Sequence, residues 1–448
     1  MEKITSDEIL ELLTAKEYRK LKEILNELYP ADIALIFEDL PMDTLPLLFR
    51  ILAKELAAEV FVELESDTQE HLLKGFSDAE LKEVLDELYI DDTVDIIEEM
   101  PANVVKRILQ HTDPEARQSI NQILNYPKDS AGSIMTTEFI DLKSDMTVED
   151  AFTRIRRIAI DKETIYTCYC IRPDRKLLGI VSVKDLLLAD YSFSIEEIME
   201  TNVIYVNTLD DKEEVAHKFS KYDVLALPVV DKEERLVGIV TVDDAIDVIQ
   251  EENTEDIEKM AAITPSDKPY MQTGIFSTWK NRIPWLLLLM FSATFTAQII
   301  AGYETALSAQ AILTTFIPMF MGTAGNAGSQ SSVAIIRGIS LGEIEFKDIF
   351  RIMWKEFSVA ILCGLTLALA NFAKLMIIDN TGFAIAVVVS ITLLTTVVMA
   401  KFVGCILPLL AKKIGFDPAV MASPFITTIV DAMSLLLYFK IAVMILGI

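Results

Sequence analysis

Histidine is nearly missing from this chain: three in 448 residues, at positions 71, 111 and 217. Cysteine is scarce too, with four. Cys168 and Cys170 share one face of a strand-like run, and Cys363 and Cys405 lie inside apolar runs. No spacing fits a zinc site or a disulfide framework, so buried thiols in a reducing compartment are expected. No nucleophile–base pair, phosphate-cradling glycine loop or dinucleotide fingerprint is present. ATP hydrolysis and covalent catalysis therefore lack a candidate group, and the chain does not read as an enzyme. Basic residues are few: 40 Lys and Arg against 68 Asp and Glu, a formal charge of −28. That balance excludes nucleic acid as a partner and favours cations. The opening MEKITSDEILELL reads as an acidic amphipathic helix, not a secretory leader.

What is there divides in two. Residues 1–270 carry 29 bases and 60 acids, whereas residues 271–448 carry 11 and 8. The second part holds five apolar runs, near 283–303, 309–336, 352–377, 382–411 and 418–446, each long enough for a hydrocarbon core of about 30 Å. Lys280 and Arg282, then Arg337, Lys347, Arg351 and Lys355, then Lys412 and Lys413 fall on one side, while Glu304 and Asp379 mark the other loops. The expected orientation is cytoplasmic for the N-terminus and acidic part, outside for the C-terminus. Lys374, Lys401 and Lys440 read as residues near span ends whose ammonium groups reach the interface.

The acidic part repeats itself twice. LYPADIALIFEDLP (28–41) and LYIDDTVDIIEEMP (88–101) match at an offset of 60, each a helix opened by an acidic cap and stopped by proline. With the capping box at Ser77, residues 1–130 read as an all-α superhelical stack. LGIVSVKDLLL (178–188) and VGIVTVDDAIDVI (237–249) repeat at an offset of 59, each after a β-branched strand. Residues 131–250 resemble an α/β pair of CBS modules. The segments beginning at Ser182 and Thr241 resemble that family's ribose-contacting pattern for adenosine nucleotides, so ATP is a possible ligand; they can equally cap the following helices. Residues 243–263 form an acidic helix closed by Pro265 and Pro269, and 243–280 connect it to the membrane part at 281–448.

Two membrane motifs stand out. Asp431 lies inside the last apolar run with no other acid after Asp417, and a carboxylate at that depth costs about 2.5–3.5 kcal/mol on the mildest scale. The run PMFMGTAGNAGSQSS (318–332) is dense in small residues, which permit close helix approach and free carbonyls for a hard cation. Asn326 and Gln330 share a helix face. In the last run, Pro424 frees the carbonyl four residues earlier, and Thr427 lies one turn before Asp431.

An acidic stack, a CBS pair, an acidic connecting helix and five spans carrying GNAG and DP…D resemble, in order and over the whole chain, the MgtE family of magnesium channels. The resemblance implies a multi-domain membrane protein, a bilayer-embedded homodimer of the bacterial-type inner membrane with no obligatory protein partner. Asp431 would be the Mg²⁺ site of a two-fold pore, lined by Gly325, Asn326, Ser329, Ser423 and Thr427. Some relatives have glycine where this chain has Ala324 and an amide where it has Ser329 and Ser423, which leaves coordination detail open. Family sensor positions map to Asp91, Asp95, Glu213, Asp223, Asp244, Asp247, Glu252, Glu255 and Asp256, with Glu59 beside them. Like charges about 4 Å apart repel by about 1 kcal/mol in water and about 4 kcal/mol at an effective dielectric of 20, so several pairs exceed the roughly 5.5 kcal/mol that moves a two-state equilibrium from 1:99 to 99:1. Cytosolic Mg²⁺ bridging these acids would draw the acidic part together and close the pore, with the connecting helix as plug. A proton-coupled divalent-cation carrier is one alternative, although Asp431 stands with few other titratable groups near it. A non-transporting adenylate or metal sensor is another, and it leaves Asp431 unused.

Overall fold

The computed structural model describes residues 4–266, 270–271, 273–421 and 423–447, without the side chains of Asp161 and Ser423. Pro269 thus lies outside the described residues. The chain forms two units, Met1–Ile249 and Gln250–Ile448.

In the first unit, ten helices of five to ten residues run from Ser6 to Ile123 among the described residues. Each buries one apolar face on the next, so a single core runs from Ile9 through Phe37, Phe61 and Val94 into the second CBS module at Val229 and Val240. The 60-residue repeat appears as helices Pro30–Glu38 and α1 (Ile90–Glu99). Their expected acidic caps are absent. The capping residues are Tyr29 and Tyr89, in extended conformation and with no side-chain cap bond, and the acids sit inside the first turn. The capping box at Ser77 is present, with Glu80 bonded back to it.

The CBS pair comprises two three-stranded sheets of identical topology. β1 (Ile140–Lys143) runs parallel to β2 (Thr167–Ile171), which pairs antiparallel with β3 (Leu177–Ser182). β4 (Val206–Asn207), β5 (Ala226–Val230) and β6 (Leu236–Thr241) repeat that order. Cys168 and Cys170 alternate with Tyr169 along β2, and all three are buried. β6 leads directly into α2 (Val242–Met260), one uninterrupted helix. It ends earlier than the prolines would impose: Ala262 takes a left-handed φ of 56°, and Ile263 N–H bonds back to the Glu258 carbonyl, closing the last turn locally.

The second unit contains α3 (Ile275–Gly302), α4 (Ile317–Ser340), α5 (Ile349–Ile377), α6 (Phe383–Lys413) and α7 (Ser423–Leu446). Four of them, α3, α5, α6 and α7, are long and apolar enough to cross a membrane. α4 has 24 residues, which at 1.5 Å each gives about 36 Å, but its glycines, serines and amides lower its apolarity below theirs. The run expected at 309–336 is broken: Ala311–Phe316 is a 3₁₀ turn, and α4 starts where Pro318 fits a first helical turn. α3 starts at Ile275, earlier than the apolar run, and keeps Pro284 inside it. α4 packs on α6 and α7, α5 on α6, and α3 on α7. The outer face of α3, with Leu286, Met290, Phe291 and Phe295, is exposed. The membrane core gathers on Phe320, Val389, Tyr438 and Phe439.

Candidate metal centres

Within the first unit, α1 meets the CBS pair at a group of carboxylates. One oxygen each from Asp91, Glu138 and Glu163 lies within 4.8 Å of the others. Asp91 is 7 % exposed. Glu138 reaches across from the loop before β1 and accepts from the Ile90 N–H at 3.0 Å, supplying the cap that Tyr89 cannot. Glu163 is tied by its N–H to the Glu138 carbonyl, 3.0 Å away, and its Oε2 is buried without a hydrogen-bond partner. Asp92, Asp243 and Asp244 complete the negative field around these groups.

Burial, then mutual repulsion, raises these acids. Asp91 is well above the usual carboxylate range, from desolvation first and then from Asp244, Glu163 and Asp92. Asp92 is pushed up to about 7 and Glu163 to about 8, both by burial first and then by neighbouring acids. Asp244 rises to about 6 through burial, although the Thr241 hydroxyl, 2.5 Å away, favours its ionised form. An all-oxygen set of half-buried, mutually repelling carboxylates with an unpartnered Oε2 fits a hard divalent cation, whose oxygens stand at about 2.1 Å for Mg²⁺ and roughly 2.3–2.6 Å for Ca²⁺. Asp91 and Asp244 were expected here from the sequence; Glu138, Glu163, Asp92 and Asp243 were not. Their signal is weak because they come from four separate segments with no shared spacing.

Of the other sensor candidates, Asp247 adds to the field on Asp244, and the rest are spread over the first unit and the end of α2. Asp95 shares α1 with Asp91 but is exposed, and Asp247 is exposed on α2. Glu213 stands 3.6 Å from His217, and Asp223 ends the same helix, Lys212–Tyr222, in a left-handed conformation. Glu59 is exposed on the helix Lys54–Val62. Ser182 accepts from the Asp185 N–H, and the Thr241 hydroxyl donates to the Asp244 carboxylate, so both act as caps in the CBS modules.

Within the second unit, the end of α2 is fastened to the membrane helices. Lys259 pairs with Glu255 one turn back and with Asp417 at 2.6 Å. Burial alone would lower Lys259, but its hydrogen bonds to Asp417 and Glu255 raise it above its ordinary value. Asp256 accepts from the Ser340 hydroxyl at 2.9 Å and is raised by burial. Glu252 is half-buried in the same turn region. Glu255 and Asp256 are thus engaged by a lysine and a serine, which limits them as cation ligands. Asp417 also accepts from the Ala419 N–H at 2.7 Å, so the DP pair both caps a 3₁₀ turn and anchors α2.

Deeper in this unit, α4 and α7 touch through residues singled out above. A Cβ on Gly325 would stand 2.9 Å from Thr427 Cγ2, and one on Gly328 2.9 Å from Ile426 Cγ2. Asp431, one turn after Thr427, is half-buried, and its Oδ1 has no hydrogen-bond partner. Asn326 and Gln330 lie exposed on one stripe of α4, with Ser329 half-buried beside them. Ser423's side chain lies outside the described residues. Pro424 does not free a mid-helix carbonyl: it occupies the first turn of α7, where no N–H is needed.

One charge was misplaced by the sequence. Lys401 does not reach an interface; it is 5 % exposed in the middle of α6. Its Nζ lies 3.2 Å from the Ser331 hydroxyl and 3.9 Å from the Glu356 carboxylate. Asp431 is therefore not alone among buried charged groups of this unit.

The profile of the MgtE divalent cation transporter family matches residues 317–441, that of the MgtE intracellular N domain residues 28–129, and that of the CBS domain residues 131–192 and 195–251. The chain is 36 % identical over 446 residues to the magnesium transporter MgtE of Thermus thermophilus, covering 99 % of this chain and 98 % of that one. It is 33 % identical over 438 residues to the magnesium transporter MgtE of Bacillus subtilis, covering 97 % and 96 %. Among solved structures it resembles the cytosolic domain of the Mg²⁺ channel MgtE in complex with ATP, at 38 % identity and a TM-score of 0.52, over 54 % of this chain and 99 % of that one. It also resembles the soluble part of a magnesium transporter, at 31 % identity and a TM-score of 0.51, over 55 % and 97 %.

Proposed function

Since this chain belongs to the MgtE family of magnesium transporters, we propose that it is a Mg²⁺ channel that carries the ion down its electrochemical gradient and is closed by Mg²⁺ on the cytosolic side. The observation that carries the reading is Asp431: a half-buried carboxylate with an unpartnered oxygen, on a membrane helix packed against the glycines of α4. Mg²⁺ gives up water reluctantly, so a carboxylate among carbonyls and hydroxyls suits a largely hydrated ion. The exposed amides of Asn326 and Gln330 support a homodimer, because a polar stripe on a membrane helix is poorly placed against lipid and well placed on a wet two-fold axis. α4 then counts as a fifth span, tolerated because its polar face is turned from lipid. Two copies of Asp431 across that axis favour a divalent ion over a monovalent one. Gly325, Ser329, Ser423 and Thr427 line the same path.

Trp279 and Trp354 are exposed near the starts of α3 and α5, beside Lys280, Arg282, Arg351 and Lys355. Aromatic and basic residues at one level support a cytoplasmic boundary there, with the N-terminus inside and the C-terminus outside the cell membrane.

The sensor in this reading centres on Asp91, Glu138 and Glu163, with Asp244 from the first turn of α2. Bound Mg²⁺ supplies positive charge that offsets their repulsion. α2 is continuous from Asp244 to Lys259, so an event at its first turn is transmitted to its fastened end, where it acts as plug. ATP at the CBS pair is a secondary proposal, supported by the ATP complex of the similar cytosolic domain. The chain is not an enzyme in this reading.

The test is Mg²⁺ influx into liposomes holding the purified full chain. Wild type should load Mg²⁺ with a reversal potential set by Mg²⁺, and Asp431→Ala should lower the rate at least tenfold. A reversal potential that follows the proton gradient would replace the channel with a carrier, and no influx at all would replace it with a sensor.

A further inference from the structure

We propose that Glu356, Ser331 and Lys401 form a polar pin that sets the rotation of α4, making Glu356 and Lys401 positioning residues for the cation path rather than parts of it. The pin joins three helices, one residue from each. Ser331 of α4 donates its hydroxyl proton to Glu356 Oε2 of α5 at 2.6 Å. Lys401 of α6 donates to the same Ser331 oxygen at 3.2 Å. The single hydroxyl proton has one direction to take, so the chain Lys401 to Ser331 to Glu356 is directional, and such chains strengthen one another. Lys401 and Glu356 side chains are 6 % and 15 % exposed, so neither charge is held by water.

Apolar contacts of Ile335 and Ile339 with Cys405 and Leu409 continue the seam, but they are not directional. α4 meets α6 backbone on backbone: a Cβ on Gly404 would stand 2.2 Å from the Gly328 carbonyl oxygen, and one on Gly328 3.3 Å from that of Ala400. Smooth small-residue surfaces allow close approach, and polar side chains then act as the specific glue. Ser331 lies five residues after Asn326, which at 100° per residue places it about 140° around the helix. The pin therefore holds the back of α4 while the exposed stripe of Gly322, Asn326 and Gln330 faces the other way. Removing one charge leaves its partner buried and unpaired, the costly way to break such a pair, whereas exchanging the two charges keeps it.

This inference rests on the transport reading for its flux arm but has a second arm that does not. In liposomes, Glu356→Lys and Lys401→Glu should each lower the maximal rate of Mg²⁺ influx at least tenfold and leave the half-saturating Mg²⁺ concentration within twofold. The exchanged double variant should recover to within threefold of wild type. A role as cation ligand would instead raise the half-saturating concentration, and the exchange would not restore it; either result overturns the proposal. The second arm is the rate at which a water-soluble maleimide modifies Asn326→Cys in a Cys363→Ser background. Each single reversal should change that rate at least fivefold and the exchange should restore it, even if the wild type moves no Mg²⁺. If the reversals do not survive purification, Ser331→Ala replaces them, and unchanged labelling together with unchanged influx overturns the pin.

Discussion

Glu163 shows what a residue of this chain does that its own sequence neighbourhood does not announce. It is held beside Glu138 by a backbone bond, aimed at Asp91, and left with one buried oxygen unpartnered. Above about pH 8, where Glu163 is ionised, deleting its charge should relax the cluster: there Glu163→Gln should stabilise the metal-free first unit by about 1 kcal/mol, on the scale of one screened pair at contact distance. The same variant should weaken Mg²⁺ stabilisation of that unit. Thermal melting of the full chain with and without 10 mM Mg²⁺ checks both. Asp431 was legible from one sequence because a lone acid in an apolar run is rare. Glu163, Glu138 and Asp92 were not, because acids in an acidic surface carry no signal until the chain brings three segments together. Lys401 was misread for a related reason: an apolar run marks depth poorly, and only packing on Ser331 and Glu356 showed that the lysine turns inward.

At the scale of the element, α2 and the α4–α6 seam matter most. α2 is fastened by Lys259 to Asp417 and by Asp256 to Ser340. Asp417→Asn should release the lysine while keeping an oxygen for the Ala419 N–H. Exposed ion pairs contribute only about 0.2–1 kcal/mol, so in the proposed channel reading this half-buried one should shift the half-closing Mg²⁺ concentration upward by roughly twofold to fivefold, read from single-channel recordings. An unshifted curve would remove the fastening from the gating reading. The seam has a steric test. Gly404→Ala places a methyl against a backbone carbonyl that cannot swing aside, so it should lower stability by about 1–3 kcal/mol, seen as a lower melting temperature in detergent. The existence and order of the elements were legible, because apolar length, capping residues and two internal repeats each mark them locally. Their ends were less so: α2 closes at a left-handed Ala262 rather than at proline, and the run before α4 breaks at a 3₁₀ turn. Both ends are decided by local hydrogen bonds that composition does not report.

For the whole molecule, charge is the organising quantity. Folding raises Asp91, Asp92, Glu163 and Asp244 above their unfolded values, so between about pH 4 and pH 8 the folded first unit holds protons that the unfolded chain releases. Stability contributed by these groups is fully present below pH 4 and is lost as pH rises through about 6 to 8, at about 1.4 kcal/mol per pH unit for each proton. Metal-free protein should therefore protect the amides of residues 88–99 from hydrogen exchange better at pH 6 than at pH 8. Mg²⁺ should close most of that gap at pH 8 and change little at pH 6, where protons already occupy the site. Equal protection at both pH values would place the acids in water and end the sensor reading.

By itself, the sequence determined the division into an acidic and an apolar part, the helical stack, the paired CBS modules and the place of Asp431 inside an apolar helix, because each is written in composition, period or repeat within one stretch of chain. Tertiary structure alone decided which acids cluster, that Lys259 engages Asp417, and that Lys401 joins Glu356 through Ser331. Those outcomes depend on distances between residues tens to more than a hundred positions apart, and such distances are settled by how buried surfaces pack, not by neighbouring letters.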